Sequence, residues 1–280
     1  IVKLWDKGGN KNKSLSKKVE EFTVGNDKYF DLFLAKSDAL GSMAHAIMLE
    51  SVNLLSKDEL KKLLPGLKDI YNNALNGNFK IDDGIEDVHS QIEYELTQKY
   101  GDAGKNIRSG RSRNDQVLVD LKLFIRDEIQ SLVKDIDSLF SLLINNSNKY
   151  KDFLLPGYTH FQVAMPSSFG LWFGAYAESL ADDLLLLNSA FKIANQNPLG
   201  SAAGYGNSFP LNRTYTTELL GFEDLSYNVV YAQMGRGKVE KTVAFALSSL
   251  ASTISKMAMD AILYMSQNFS FISFPDELTT

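Results

Sequence analysis

The chain has 280 residues, of which 44% are hydrophobic and 22% charged, so it can bury a large core and is neither a disordered tail nor a small stapled scaffold. Its formal net charge is -5 and its pI about 5.3, with acids and bases interspersed, which argues against nucleic acid or an anionic lipid surface as a partner. It contains no cysteine, which excludes disulfides, thiolate zinc sites and a cysteine nucleophile.

Histidine is the remaining common metal ligand, and the chain has three: His45, His89 and His160. A three-histidine metal site would consume all of them. His89 lies among acids, but Glu86 and Glu93 are two helical turns apart, so we interpret His89 as a structural hydrogen-bonding residue and expect no metal. His45 stands in a stretch of small residues and is interpreted as a packing residue.

Two features bear on location. We find no apolar run that approaches the roughly 20 residues of a membrane span. The N-terminal stretch IVKLWDKGGNKNK lacks the apolar core of a secretion signal. We therefore expect a cytoplasmic protein with no membrane partner.

The first hundred residues predict amphipathic helices of moderate length, over about 27–54, 56–76 and 85–100, with breaks at Pro65-Gly66, Gly77-Asn78 and Gly101-Asp102. Ser56 and Glu59 have the spacing of a capping box at the start of the second helix. We predict a small helical domain over residues 1–105.

The rest of the chain predicts three much longer helices, over about 116–147, 167–195 and 237–268. No proline lies between Pro65 and Pro156, and steps of four and three residues separate Ile125, Ile129, Leu132, Ile136, Leu139 and Leu143. The predicted helices over 167–195 and 237–268 carry apolar or small residues on several sides. The sequence therefore predicts an all-α fold, with a long-helix bundle over 106–280 that continues into other subunits.

Polar, glycine-rich stretches interrupt the helical patterns at three places, where chemistry is most expected. In the first, residues 104–116, three arginines (Arg108, Arg111 and Arg113) gather before a helix N-terminus, whose free N–H groups already favour anions. One interpretation is that Asn114 or Asp115 caps the helix and the arginines pair with surface acids. The other is a loop that binds carboxylate or phosphate, in which Asn114 adds an amide.

The second interruption, residues 155–166, holds His160 in a proline-bounded, mostly apolar connection, where a neutral imidazole would suit proton transfer. A polar surface residue is the alternative. The third, residues 197–206, is rich in small residues and either presents N–H groups to an anion or forms a simple turn between helices.

Together these stretches resemble the argininosuccinate lyases of the aspartase/fumarase superfamily, and the resemblance covers essentially the whole chain. The matching segments are Glu86–Glu93, Ser109–Val117, Pro156–Gln162 and Asn197–Ser201, with Ser266–Phe269 and Asp276 similar to the approach to a further signature.

The resemblance implies cleavage of argininosuccinate to arginine and fumarate by β-elimination, without metal or cofactor. It implies that Arg113, Asn114 and Thr159 contact the substrate and that His160 acts in proton transfer, directly or by poising the leaving group. It also implies a homotetramer in which each site is built from loops of three chains.

The chain departs from the family pattern at several places. The loop that carries the family's catalytic serine is absent before Thr280, so we expect the chain to lack that serine. Asp27 replaces a serine near the substrate, and Arg108 and Trp172 stand where many relatives have histidine. The alternatives are a related fumarate-releasing enzyme such as adenylosuccinate lyase, and a non-catalytic structural relative of the lens crystallin kind.

Overall fold

The computed structural model describes Lys18, Phe22 and residues 24–279. Over these residues the chain is mostly helical, which confirms the prediction of an all-α fold. The stretch in which we sought a secretion signal lies outside the described residues.

Along the chain the elements are α1 (Asp27–Phe30), a 3-10 turn (Asp31–Leu34), α2 (Ala35–Ser51), α3 (Lys57–Leu75), α4 (Val88–Tyr100), α5 (Asp102–Asn106), α6 (Arg113–Lys149), β1 (Leu154–Thr159), β2 (Gln162–Ser168), α7 (Phe169–Ala194), β3 (Gln196–Asn197), α8 (Arg213–Leu219), β4 (Asp224–Leu225), α9 (Val229–Met234), α10 (Lys238–Met265) and a 3-10 turn (Asp276–Leu278).

The chain divides into two compact units. The N-terminal unit runs to Ile125 and includes Asn195–Arg236, and the bundle unit comprises Arg126–Ala194 and the chain from Gly237 onward. The sequence analysis drew one boundary at residue 105, whereas this division assigns the start of α6 and the segment 195–236 to the N-terminal unit.

In the N-terminal unit, α2 packs against α3 and α4 around a core of buried aliphatic side chains, among them Leu49, Leu67 and Leu96. The expected capping box starts α3: the Glu59 N–H donates to Ser56 Oγ at 3.2 Å and the Ser56 N–H donates to Glu59 Oε2 at 2.9 Å. Two reciprocal bonds thus satisfy N–H groups that a helix start leaves free.

The predicted break at Pro65-Gly66 is wrong, because α3 runs through it without interruption. A proline inside a helix removes one hydrogen bond and costs about 3 kcal/mol. Gly66 offsets this cost by letting the Tyr100 ring approach so closely that a Cβ at Gly66 would lie 2.6 Å from Tyr100 Cε2. Burial of Leu63 and Leu67 on the same helix adds to this packing.

In the bundle unit, α10 packs along α7, and the larger part of α6 belongs to the same unit. The predicted seam of α6 is buried at every seventh residue, since Ile129, Ile136 and Leu143 are each at most 5% exposed. A seven-residue repeat of buried side chains is the pattern of long helices that pack nearly parallel.

The second interruption, predicted as a mostly apolar connection between two helices, forms an antiparallel hairpin, β1–β2. His160 and Phe161 form its turn with φ of 52° and 59°, the left-handed region that two-residue hairpin turns require. Alternation of apolar and polar residues is weak here, so the sequence gives little sign of strands.

The expectation of no membrane-length apolar stretch is also wrong for one helix. By length and composition, Lys238–Met265 (α10) is long and apolar enough to cross a membrane, and it passes a test that core helices of soluble proteins pass as well. Its aliphatic residues and alanines raise its hydropathy, although Lys256 and Asp260 interrupt the apolar stretch.

Candidate functional site

The first interruption leads into α6 through a reciprocal cap. The Asn114 N–H donates to Ser112 Oγ at 3.3 Å, and the Ser112 N–H donates to Asp115 Oδ1 at 2.9 Å. Ser112 therefore occupies the capping position, rather than Asn114 or Asp115 as one interpretation held. This leaves the Asn114 side chain exposed at the positive end of a long helix.

The three arginines of this segment have three different environments. Arg108 forms an exposed, two-pronged pair with Glu93 at 3.0 and 3.2 Å, which is the surface role that one interpretation gave to all three. Such exposed pairs contribute little to stability. Arg108 thus forms a surface ion pair within the N-terminal unit.

Arg113, the predicted substrate contact, is held by the start of α4. Its guanidinium donates to Asp87 Oδ2 and, at 3.0 Å, to Ser90 Oγ. Asp87 is itself the N-cap of α4, since its Oδ1 accepts the Ser90 N–H at 2.8 Å. The guanidinium is thereby oriented and partly exposed. Asp87 and Ser90 engage two of its five N–H donors, and the others can meet an anion.

Arg111 reaches a buried polar cluster formed by Asp38, His89 and Asp120, where it donates to Ser42 Oγ at 3.1 Å. His89 Nδ1 lies 2.7 Å from Asp38 Oδ2 and 3.5 Å from Asp120 Oδ2. The sequence had placed His89 among Glu86 and Glu93, but its partners come from α2 and α6.

Each of these three side chains offers one potential metal ligand, and the ligand atoms lie within 4.8 Å of one another. The 2.7 Å separation of His89 Nδ1 and Asp38 Oδ2 is, however, that of a hydrogen bond in which the ring N–H donates to the carboxylate. The arrangement therefore suits a shared proton better than a cation, and the interpretation of His89 as a hydrogen-bonding residue agrees with this geometry.

The pKa values of the two carboxyl groups in the cluster shift in opposite directions. Burial alone would raise the pKa of Asp38, but the charge and hydrogen bond of His89, with Arg111 and Gln116, lower it to about 2. Burial and the nearby Asp38 charge hold the pKa of Asp120 well above its usual range. The cluster thus favours the ionised form of Asp38 and the protonated form of Asp120.

His45 is buried beside the first interruption and its ring contacts the Ser109 carbonyl oxygen at 3.0 Å through Nε2. Burial, with the nearby Arg111 charge, lowers the pKa of His45 to about 3. A neutral ring that carries its proton on Nε2 donates to this carbonyl. His45 therefore packs in the core, as predicted, and also binds the backbone of the first interruption.

The third interruption is fixed by side chains of its own unit. Buried Asn197 donates from Nδ2 to Thr216 and Thr217 at 3.0 Å each, and its Oδ1 accepts the Leu199 N–H at 3.0 Å. Arg213 donates to the Leu199 carbonyl at 2.9 Å. Side-chain hydrogen bonds thus fix the backbone of this stretch, which is more than a simple turn between helices.

The other two predicted site residues lie on the hairpin of the bundle unit. Thr159 ends β1 and His160 begins the turn, and both side chains are exposed. The structure therefore brings Thr159 and His160 together in one unit, and Arg113 and Asn114 together in the other.

Two of the departures from the family pattern, Trp172 and Asp27, have different environments. Trp172 Nε1 and the Tyr176 hydroxyl both donate to Asp260 Oδ2, at 3.0 and 2.6 Å, so Trp172 ties α7 to α10. Asp27 is exposed in the first turn of α1.

Sequence reasoning missed the buried acids. Asp120 lies four residues after buried Gln116 and three before buried Leu123, on the inward face of α6. An acid on an apolar helix face is a usable signal, because buried carboxyls require partners. The partner Asp38 is 82 residues earlier, and its approach depends on tertiary structure.

Comparison with known proteins agrees with this architecture: a profile of the lyase family matches residues 9–280, and the chain belongs to that family. The argininosuccinate lyases of Bacteroides fragilis and Phocaeicola vulgatus are 64% and 63% identical over 278 residues, 99% of this chain. The chain spans 61% of the length of each of these relatives. A solved variant of EDDS lyase with bound fumarate has a TM-score of 0.76 and 25% identity, over 85% of this chain and 46% of that one.

Proposed function

We propose that this protein is an argininosuccinate lyase, which cleaves argininosuccinate to arginine and fumarate in arginine biosynthesis. The single observation that carries the proposal is the identity of 61–64% to curated argininosuccinate lyases over 99% of the chain. The geometry adds support, because the Arg113 guanidinium is oriented at a helix N-terminus, where developing negative charge on a carboxylate is stabilised.

In the proposed reaction a base removes a proton from the carbon next to one substrate carboxylate, which takes up the charge. The electron pair then forms the carbon–carbon double bond of fumarate as the C–N bond to the guanidinium breaks, and the leaving nitrogen gains a proton to give arginine. Arg113, Asn114 and Thr159 bind the substrate in this account. His160 takes part in proton transfer, and no metal or cofactor is needed.

The test is fumarate release by the product of the complete reading frame, measured with argininosuccinate and, in parallel, with adenylosuccinate. The proposal expects turnover with argininosuccinate and at most a trace with adenylosuccinate. The reverse preference would assign the chain to the other lyase, and turnover of neither would favour a structural protein. A sample treated with a chelator is expected to keep its rate, and a lost rate would contradict the metal-free mechanism.

We also propose that the protein is a homotetramer with sites shared between subunits. The support is a set of exposed apolar side chains on the two long helices of the bundle unit, Leu171 and Leu185 on α7 and Phe245 and Ile262 on α10, each more than 60% exposed. Large apolar side chains exposed on two neighbouring helices favour an interaction site there. Sedimentation of the complete protein tests the proposal, and a monomer would overturn it.

We also propose a cytoplasmic location. The support is the match of residues 9–280 to a family of lyases, together with the small-molecule substrate of the proposed reaction. The test is cell fractionation. Recovery in the soluble fraction is expected. Recovery in a carbonate-resistant membrane fraction would overturn the proposed location.

A further inference from the structure

Asp115 lies in the first turn of α6, directly after Arg113 and Asn114, and its side chain is 0% exposed. Its carboxylate turns away from solvent towards the backbone of the third interruption. Oδ2 accepts the Gly200 N–H at 2.9 Å and the Ala202 N–H at 3.1 Å, and Oδ1 accepts the Ser112 N–H at 2.9 Å. One carboxylate thus joins two loops that are about 85 residues apart in sequence.

The third loop is shaped to present those N–H groups. Gly200 and Ala202 both have left-handed backbone, with φ of 85° and 51°. For Ala202 this conformation costs about 1–2 kcal/mol, so other contacts must hold it. Gln233 does so, because its Nε2 donates to the Ala202 carbonyl at 3.2 Å and to Ser201 Oγ at 2.9 Å.

The sequence analysis raised the possibility that this loop presents N–H groups to an anion. The structure supplies the anion from within the chain, and it is the Asp115 carboxylate. Successive N–H groups that converge on one oxygen form an anion-binding nest. A second link lies at the surface, where Nδ2 of Asn207, the residue that follows the third interruption, donates to the Gly110 carbonyl at 2.7 Å.

The pKa of Asp115 is raised, because burial outweighs the Arg111 charge and the three N–H groups, which act to lower it. The geometry calls for a carboxyl group at this position, because both of its oxygens accept N–H groups. An amide in its place has one oxygen only. In either orientation it presents an NH2 group to one of the two loops, and a donor then faces a donor.

We propose that Asp115 is a positioning residue, which fixes the first turn of α6, and with it Arg113 and Asn114, against the third loop. The proposal rests on the proposed function, since Arg113 and Asn114 contact substrate in that account. A displacement of about 1 Å in a positioning group lowers rates by about 100-fold. Asp115 is therefore coupled to catalysis without touching the substrate.

The test compares wild type, Asp115→Asn and Ile70→Val in the complete protein. Ile70 is buried in the core of the same unit, so Ile70→Val weakens packing without touching either loop. Amide hydrogen exchange of the peptides that cover 109–116 and 197–206 is measured by mass spectrometry, together with kcat and KM for argininosuccinate. For Asp115→Asn we expect exchange in both peptides to rise about tenfold or more, and kcat/KM to fall by about 10- to 100-fold.

Ile70→Val is expected to keep kcat/KM within about twofold and to raise exchange in the α2–α4 core instead. Unchanged exchange in Asp115→Asn, or faster exchange with unchanged kcat/KM, would overturn the proposal. If the wild type turns over no argininosuccinate, the proposed function fails. In that case the positioning role in catalysis is also overturned. Amide hydrogen exchange then shows only whether Asp115 couples the two loops.

Discussion

At the scale of single residues, Arg113 and His160 have different surroundings. The Arg113 guanidinium is held by Asp87 and Ser90, so its direction is fixed before any ligand arrives. His160 stands exposed at a hairpin turn with left-handed backbone. Asparagine tolerates this conformation better than most residues, which makes it a suitable replacement.

For His160→Asn we therefore expect an intact fold and assembly and a fall in kcat of about two to four orders of magnitude, the loss typical of a missing general acid or base. Steady-state kinetics with argininosuccinate, and sedimentation of the same sample, check this. Turnover close to wild type would remove His160 from the mechanism.

His45 predicts a pH dependence of stability. Its pKa is about 3 in the folded protein and ordinarily 6.5, so between these values the unfolded chain binds a proton that the folded chain does not. Stability is then lost as the pH falls below 6.5. From pH 7 to pH 5 we expect this group to cost about 2 kcal/mol.

Urea unfolding of wild type and His45→Gln at both pH values measures that cost. Glutamine retains a donor for the Ser109 carbonyl and does not titrate, so its loss of stability on acidification should be smaller by about 2 kcal/mol. Equal losses in the two proteins would show that His45 does not govern the acid limb.

At the scale of elements, helices were predictable and their junctions were not. The long helices follow from spacing along one segment: α6 was expected over 116–147 and spans Arg113–Lys149. The hairpin at 154–168 pairs neighbouring residues, but its weak alternation of apolar and polar residues hides the strands. The unbroken α3 depends on a contact with a distant residue, Tyr100 against Gly66. The same holds for the site, because the resemblance supplied Arg113 and His160 but not Asp115, whose partners are far along the chain.

Two glycines of α7 give a matched test of how closely α7 packs. A Cβ at Gly170 would lie 2.6 Å from Lys151 Cα and 2.8 Å from the Ser147 carbonyl, so backbone must move. A Cβ at Gly174 would meet only Ser147 Oγ, at 3.4 Å. We expect Gly170→Ala to cost about 1–3 kcal/mol and Gly174→Ala to be neutral or to stabilise by up to about 1 kcal/mol. Thermal unfolding of both checks this, and equal melting temperatures would refute the close approach.

At the scale of the whole molecule, the exposed apolar side chains on α7 and α10 support the proposed tetramer. Phe245 is 66% exposed on α10, and a charge there should oppose burial against another chain. We expect Phe245→Glu to shift the complete protein from tetramer to smaller species in sedimentation velocity. The control is Leu75→Glu, the same kind of change at a 61% exposed residue of α3. Dissociation by both variants, or by neither, would show that α10 is not the specific interface.

The proposed elimination gives arginine and fumarate from each argininosuccinate molecule. The most direct measurement follows arginine and fumarate together, by NMR, as the complete protein consumes argininosuccinate. The account predicts that both products appear in equal amounts at the rate at which substrate disappears. Stable substrate under these conditions, or arginine formed without fumarate, would contradict it.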